Sequence, residues 1–431
     1  MPVTAVHDLR LDRQAAQDPK NKGGAVKSLT VAAKIIAAIG LTAATAMLSA
    51  CGTDTDATKV TDPVVDLAQL DVGGYSTKPV DLGLPKNMYV ARFMEANRLG
   101  SVLPLPYEVD PKLTVGQSSG THAFLDVGPE FHLSSMFRWL HEENFNAVTK
   151  NFVGGFTTLG SSDEAYSLSY ELADSVLLFS DAESARNAAA ELSKADFYDD
   201  GAVEPTALAK YPDTVARWKP TQQTLATWTA NDKYVIVTIV ENFENKELGV
   251  SDLPSLTDLA QKSIAATTDR LRGFTPTPVD QLMKVPVDPD DVRSRALRRP
   301  EGDSFQNVPG TFDLHGAMQL IDDPQAIEKL YRDNGVDRVA YDAGEVVRAK
   351  DKAASERIFE LRSAPGKFMR RVDSPKNLPN AKCLNYKGPD TNVRYYCHVR
   401  YDRYSAVVWS QQLRDAQQRI SAQYSILANS K

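Results

Sequence analysis

The cysteine at position 51 stands where lipid chemistry would need it. Leu48-Ser49-Ala50-Cys51 closes an apolar run from Ile35 to Ala50, and Lys27 and Lys34 lie upstream. A positive n-region, an apolar h-region and small residues before a cysteine are the layout of a lipobox. Alkylation of the Cys51 thiol gives a thioether, and cleavage before it leaves an acylated N-terminus. Each buried CH₂ adds about 0.8 kcal/mol, so several acyl chains hold a domain to a membrane without a spanning helix. The run of sixteen residues is shorter than the roughly 20 that a spanning helix needs. The plainer reading is an ordinary signal peptide with a cysteine near its cleavage site.

The other two cysteines, Cys383 and Cys397, have thirteen residues between them. An exported chain with one even pair reads as a disulfide in an oxidising compartment. Zinc competes poorly, because there is no C-x-x-C and no second Cys/His pair at ligand spacing. No metal and no cofactor are expected.

Gly116-Gln117-Ser118-Ser119-Gly120 matches G-x-S-x-G, which in a nucleophile elbow exposes a serine on a strand-to-helix turn. Here only Leu113 to Val115 precedes it as possible strand, and Gly128-Pro129 breaks any helix downstream. His315 and His398 would complete a triad only by default, and a Gly/Ser-rich surface loop is the alternative. His132, His141, Glu142 and Glu143 suggest metal ligands, but the histidines are nine apart and the order fails H-E-x-x-H. If Arg394 to Tyr401 is a strand, alternation sets Tyr395, Cys397, Val399 and Tyr401 on one face. Arg394, Tyr396, His398 and Arg400 then form an outward cationic and aromatic stripe. It could meet an anionic ligand, a glycolipid headgroup, or an acidic surface of the same chain. Arg293, Arg295, Arg298 and Arg299 form a second basic cluster, facing lipid, an acidic partner or solvent.

The elements that must hold these residues follow from composition and periodicity. Residues 1–50 hold six Lys/Arg and three Asp/Glu, a net +3, so their removal takes the chain from −7 to −10. An acidic exported chain is a poor partner for nucleic acid, whose binding rests on clustered cations. Met1 to Val26 is polar and long for an n-region, and is set aside from fold reasoning. The expected segments are a leader at 1–50, a lipid-anchored tether at 51–62, and an α+β domain at 63–274. A Pro-rich linker comes next at 275–309, then a second α+β domain at 310–431.

Sliding the chain on itself suggests an internal duplication. Strand Tyr170–Phe179, helix Asp181–Leu192, hairpin Trp228–Val240 and helix Leu256–Leu271 recur in order. Their counterparts are strand Tyr341–Val347, helix Lys350–Leu361, hairpin Tyr395–Trp409 and helix Leu413–Leu427. Asp232-Lys233-Tyr234 and Val237 align with Asp402-Arg403-Tyr404 and Val407. Each copy is βαββα, which predicts two duplicated ferredoxin-like units with antiparallel sheets and helices on one face.

The lipobox, Gly73-Gly74-Tyr75 with Pro79, the stretch from Arg92 to Pro111, and the closing Arg403-Tyr404-Ser405-Ala406-Val407-Val408, Asp415-Ala416-Gln417-Gln418 and Ala422-Gln423-Tyr424 carry a resemblance. The chain resembles a family of actinobacterial (mycobacterial, nocardial and rhodococcal type) cell-envelope lipoproteins with a domain of unknown function. More distantly it is similar to extracellular sensor domains of actinobacterial Ser/Thr kinases. The first likeness implies a location on the outer face of the cell membrane and no assigned reaction; the second implies at most sensing. The expectation is a non-enzymatic module that binds an envelope lipid, glycan or protein partner. The alternative is an envelope serine hydrolase acting through Ser118.

Overall fold

The computed structural model describes residues 64–118, 120–126, 142–194, 202–300, 309–389 and 393–430. Cys51, His132 and His141 lie outside them, as do the side chains of Glu142 and Glu143. In the first half the strands are β1 Val115–Gly116, β2 His122–Phe124, β3 Phe152–Ser161, β4 Tyr170–Phe179, β5 Glu204–Thr206, β6 Val215–Lys219, β7 Thr224–Asn231 and β8 Tyr234–Asn242. The helices are α1 Met88–Gly100, α2 Pro106–Val109, α3 Glu142–Val148, α4 Ala182–Leu192, α5 Phe243–Leu248 and α6 Leu253–Leu271. The second half has β9 Gly310–Phe312, β10 Arg338–Tyr341, β11 Gly344–Arg348, β12 Met369–Val372, β13 Lys382–Tyr386, β14 Tyr395–Tyr401 and β15 Tyr404–Ser410. Its helices are α7 Leu314–Met318, α8 Pro324–Asp333, α9 Lys352–Arg362 and α10 Leu413–Asn429.

Local chemistry sets the element ends. Asn87, Asp181, Asp252 and Asp351 each accept a backbone N–H of the next helix, the preferred N-cap arrangement. The two long hairpins turn at Asp232 and Asp402, both at φ 49°, a left-handed conformation that Asp tolerates better than most residues.

Each half forms one antiparallel sheet. The first runs β1-β3-β4-β8-β7-β6-β5, with β2 also paired to β3; the second runs β12-β13-β14-β15-β11-β10-β9. From β3 to β8, adding seven to a strand's number gives the strand in the same place in the other sheet. The fold is therefore α+β, with the same strand order twice.

Three details depart from the sequence reading. The helices do not share a face. On the first sheet α4 packs with Ala173, Leu177, Val235 and Val237, while α6 packs with the alternate residues such as Leu172 and Val240. On the second, α9 lies against Val339 and Val347, and α10 against Ala340 and Val346. β4 and β8 are buried at all but one terminal position each, and a strand buried on both sides needs cover on both sides. This layering is not ferredoxin-like. Tyr341–Val347 is not one strand but parts of β10 and β11, broken at Asp342-Ala343, and β5, β6, β12 and β13 are additional. The segment boundaries also shift. Leu70 packs in the second half's core beside Tyr424, and the supposed linker buries Val292, Ala296 and Leu297 there. Apolar side chains too sparse to show periodicity thus tie both segments to the second sheet.

Cys383 and Cys397 are directly opposed on β13 and β14 and joined as a disulfide. Closing a loop of this length is worth about 3 kcal/mol on the chain-entropy account.

Candidate functional site

Register across the second sheet sets five side chains in one row on the α9 face: Tyr341, Glu345, Val407, His398 and Lys382. Helices α8 and α9 lower Tyr331 and Arg362 onto it. Tyr331 Oη donates to Glu345 Oε1 at 2.7 Å, and Arg362 Nη2 donates to Glu345 Oε2 at 3.2 Å. Arg362 Nη1 reaches both Glu345 Oε1 and Tyr331 Oη. Burial opposes the Arg362 charge, but the Glu345 carboxylate outweighs it and raises the guanidinium pKa. Burial, and the field of Glu345, hold the Tyr331 phenol well above its ordinary range. His398 is pushed down to about 3, first by burial and then by the cations of Arg362 and Lys382. It is a neutral imidazole. Tyr341 Oη, also buried, has no hydrogen-bond partner among the described residues.

Directly above this row, α8 and α9 flank a cleft of about 410 Å³. Leu330, Asn334, Glu356, Arg357, Glu360 and Leu361 line it together with Asp333. The lining is held from below. Arg400 pairs with Glu356, and Lys382 Nζ donates to Glu360 Oε2 at 2.5 Å. Arg357 Nε donates to Asn334 Oδ1 at 2.8 Å. Carboxylates and a guanidinium fixed by partners, next to an exposed Leu361, form a mixed polar and apolar surface that needs little reordering to take a ligand.

The predicted stripe is thus only partly outward. Arg394 and Tyr396 are half-exposed, whereas His398 and Arg400 are buried beneath α9. The continuous burial of β14 from Cys397 to Arg400, caused by helices on both faces, overrides the alternation argument. Arg400 contributes by positioning Glu356. The second basic cluster is also internal. Arg293 and Arg298 pair with the buried Asp342, and Arg299 donates its backbone N–H and a guanidinium N–H to the same residue. Arg295 lies over the Tyr404 ring.

The G-x-S-x-G stretch has a packing role. A Cβ on Gly116 would lie 2.1 Å from the Ile321 carbonyl oxygen, and one on Gly120 would lie 2.4 Å from Leu159 Cδ2. Gly116 N donates to Asp322 O, and Ser118 N donates to Asp322 Oδ1 at 3.0 Å. This loop therefore joins the two halves, and strand β2 comes after it rather than a helix. His315 makes a neighbouring contact between halves: its ring nitrogens lie 2.9 Å from Ser101 O and 3.1 Å from Glu108 Oε2. Two acceptors suit the imidazolium. Burial lowers its pKa, but the Glu108 bond and charge outweigh that and raise it.

Sequence reasoning missed Tyr331, Glu345 and Arg362. It also missed Asp174, a buried carboxyl that accepts hydrogen bonds from Thr238, Ser263 and Thr267 under α6. The available signal was the pairing of Val237 with Val407. Register places Ser175 beside the first and Glu345 beside the second. An ionic residue thus stands where its counterpart is a hydroxyl. Among the described residues no group of three or more His, Cys, Asp or Glu gathers to hold a metal, and no helix is long and apolar enough to cross a membrane.

Comparison with known proteins gives three findings. Residues 82–287 match the N-terminal domain, and residues 292–430 the C-terminal domain, of DUF7373, described as a domain of unknown function. No curated protein matches the chain. Among solved structures, the extracellular domain of PknH from Mycobacterium tuberculosis is similar over 42% of this chain and 97% of its own. The identity there is 14% and the TM-score 0.27.

Proposed function

We propose, from the premise that the chain belongs to the DUF7373 family through both of that family's domains, that it is an exported, lipid-anchored, non-enzymatic binding module of the cell envelope. Its binding site is the α8–α9 cleft, and its ligand is an envelope lipid, glycan or protein segment. One comparison within the molecule carries the reading. The row under α4 that corresponds to Tyr341–Glu345–Val407–His398 is Thr157–Ser175–Val237–Trp228, in the same register. Thr157 and Ser175 share a hydrogen bond of 2.8 Å, with no ion pair in the row. The corresponding row of the first sheet thus forms without an ion pair. A buried ion pair typically stabilises no more than well-packed apolar residues do, so folding does not require the ionic row. Lys382, at the end of the row, and Arg400 beside it hold Glu360 and Glu356 of the cleft lining.

The two halves are a duplication of one unit, supported by the shared strand order and the matched hairpins, and the second copy has taken on the site. Anchoring and location on the outer face of the membrane rest on the lipobox and are supported by the disulfide.

Intact mass of the full chain extracted from its own envelope, measured under denaturing conditions, tests the anchor. The expected mass is that of residues 51–431 plus covalent lipid, with Cys51→Ser abolishing both the cleavage and the addition. A mature chain without lipid, or lipid retained in C51S, would refute it.

A further inference from the structure

The second sheet ends in an edge whose charge opposes that of the whole chain. Residues 362–400 hold nine Lys/Arg and two Asp/Glu, a net +7 in a chain of −7, which leaves −14 for the remainder. Arg362, Lys382 and Arg400 are used in the ionic row and its supports. The other six are Lys367, Arg370, Arg371, Lys376, Lys387 and Arg394, and none of them pairs with a carboxylate among the described residues. The first five are exposed and Arg394 half-exposed. All six lie on or next to the outer strands β12, β13 and β14. Arg370 and Arg394 spend hydrogen bonds only on backbone carbonyls, which leaves their charge uncompensated. Among them stands Phe368, 41% exposed, edge-on to Tyr386 and 4.9 Å beneath Lys367 Nζ.

Charged side chains on an edge strand also discourage sheet-to-sheet pairing. Either sign would serve that purpose. An edge that gathers six cations without carboxylate partners around an exposed aromatic ring, in an otherwise acidic chain, suits an extended anionic partner. Basic residues near an anionic leaflet each add to attraction, and an exposed apolar ring such as Phe368 gains from burial at the headgroup–acyl boundary. The path of the chain agrees with this. Asn377, next to Lys376, donates its Nδ2 to Gln69 O at 2.9 Å, so the segment leading back toward Cys51 meets the fold beside the patch. Thirteen residue steps separate Cys51 from Val64, a reach of at most about 45 Å.

We propose that the β12 edge is a membrane-facing surface that binds the anionic phospholipid headgroups of the leaflet carrying the anchor. The acyl chains supply attachment, and a basic patch beside the tether adds attraction to anionic headgroups. Together the two fix an orientation in which one edge of the second sheet faces lipid. The orientation rests on the lipid-anchor reading; the affinity of the edge for anionic lipid does not, so the two can fail separately.

The test uses residues 52–431, which contain every described residue, so that neither an acyl chain nor the leader with its apolar run contributes. Cosedimentation at low salt is compared for vesicles of equal parts phosphatidylglycerol and phosphatidylcholine and for vesicles of phosphatidylcholine alone. The chain partitions to the first and not the second, and added salt releases it. K367Q/R370Q/R371Q lowers partitioning on the order of 100-fold, and K376Q/K387Q, whose positions lie outside the strands, about 25-fold. K376R/K387R keeps it. Equal partitioning to both vesicles, or neutralised variants that partition like the parent, would overturn the proposal.

Discussion

Replacing Arg362 by methionine lowers the stability of the folded chain by about 3 kcal/mol, because it leaves the Glu345 carboxylate buried without its cation. Glu345 is only 6% exposed at its side chain, and Tyr331 alone cannot neutralise it. The value sits at the lower end for a broken buried pair because Arg362 keeps 22% of its side-chain surface in water. The double variant R362M/E345Q should recover most of the loss, since it removes the charge together with its partner. Urea denaturation followed by circular dichroism measures both. A loss below about 1 kcal/mol in R362M, the usual size for an exposed pair, would show that the row is solvated and supports nothing above it.

Acid exposes the second large effect. His398 is held neutral with a pKa of about 3, so the unfolded chain, whose histidines titrate near 6.5, binds the proton that the folded chain refuses. Stability contributed by the neutral imidazole is complete above about pH 6.5 and declines as pH falls toward the folded value. At up to 1.36 kcal/mol per pH unit, about 2 kcal/mol is lost between pH 6.5 and 4.5 from this residue. His122, depressed to about 4 by burial, adds a loss of the same sign. His398→Gln should flatten the stability profile over that interval by most of its share. An unchanged slope from pH 7 to 4.5 would mean that His398 titrates in the folded chain.

The folding frame was legible because its signals are local. The caps at Asn87, Asp181 and Asp351 precede periodic runs, and both hairpins announce themselves at Asp232 and Asp402. The paired cysteines found each other in register because they lie on neighbouring strands of one hairpin arrangement. What sequence could not show depends on long-range cover. Alternation along Arg394–Arg400 predicts an outward His398 and Arg400 only if one face of β14 meets water. α9, from well upstream in the chain, covers that face. The ionic row draws Tyr331, Glu345, Arg362 and His398 from four elements, and no spacing along the chain relates them. The glycines around Ser118 resemble a catalytic turn in sequence, yet Gly116 answers to the backbone of Ile321 in the other half.

The binding claim meets its most direct test in native mass spectrometry of the full chain, purified gently from its own envelope. The result expected is a reproducible noncovalent adduct of fixed mass, lost when the cleft carries R357E and L361R while the protein keeps its melting temperature. An apo mass in every preparation, or an adduct that persists in the cleft variant, would contradict the assignment of binding to the α8–α9 cleft.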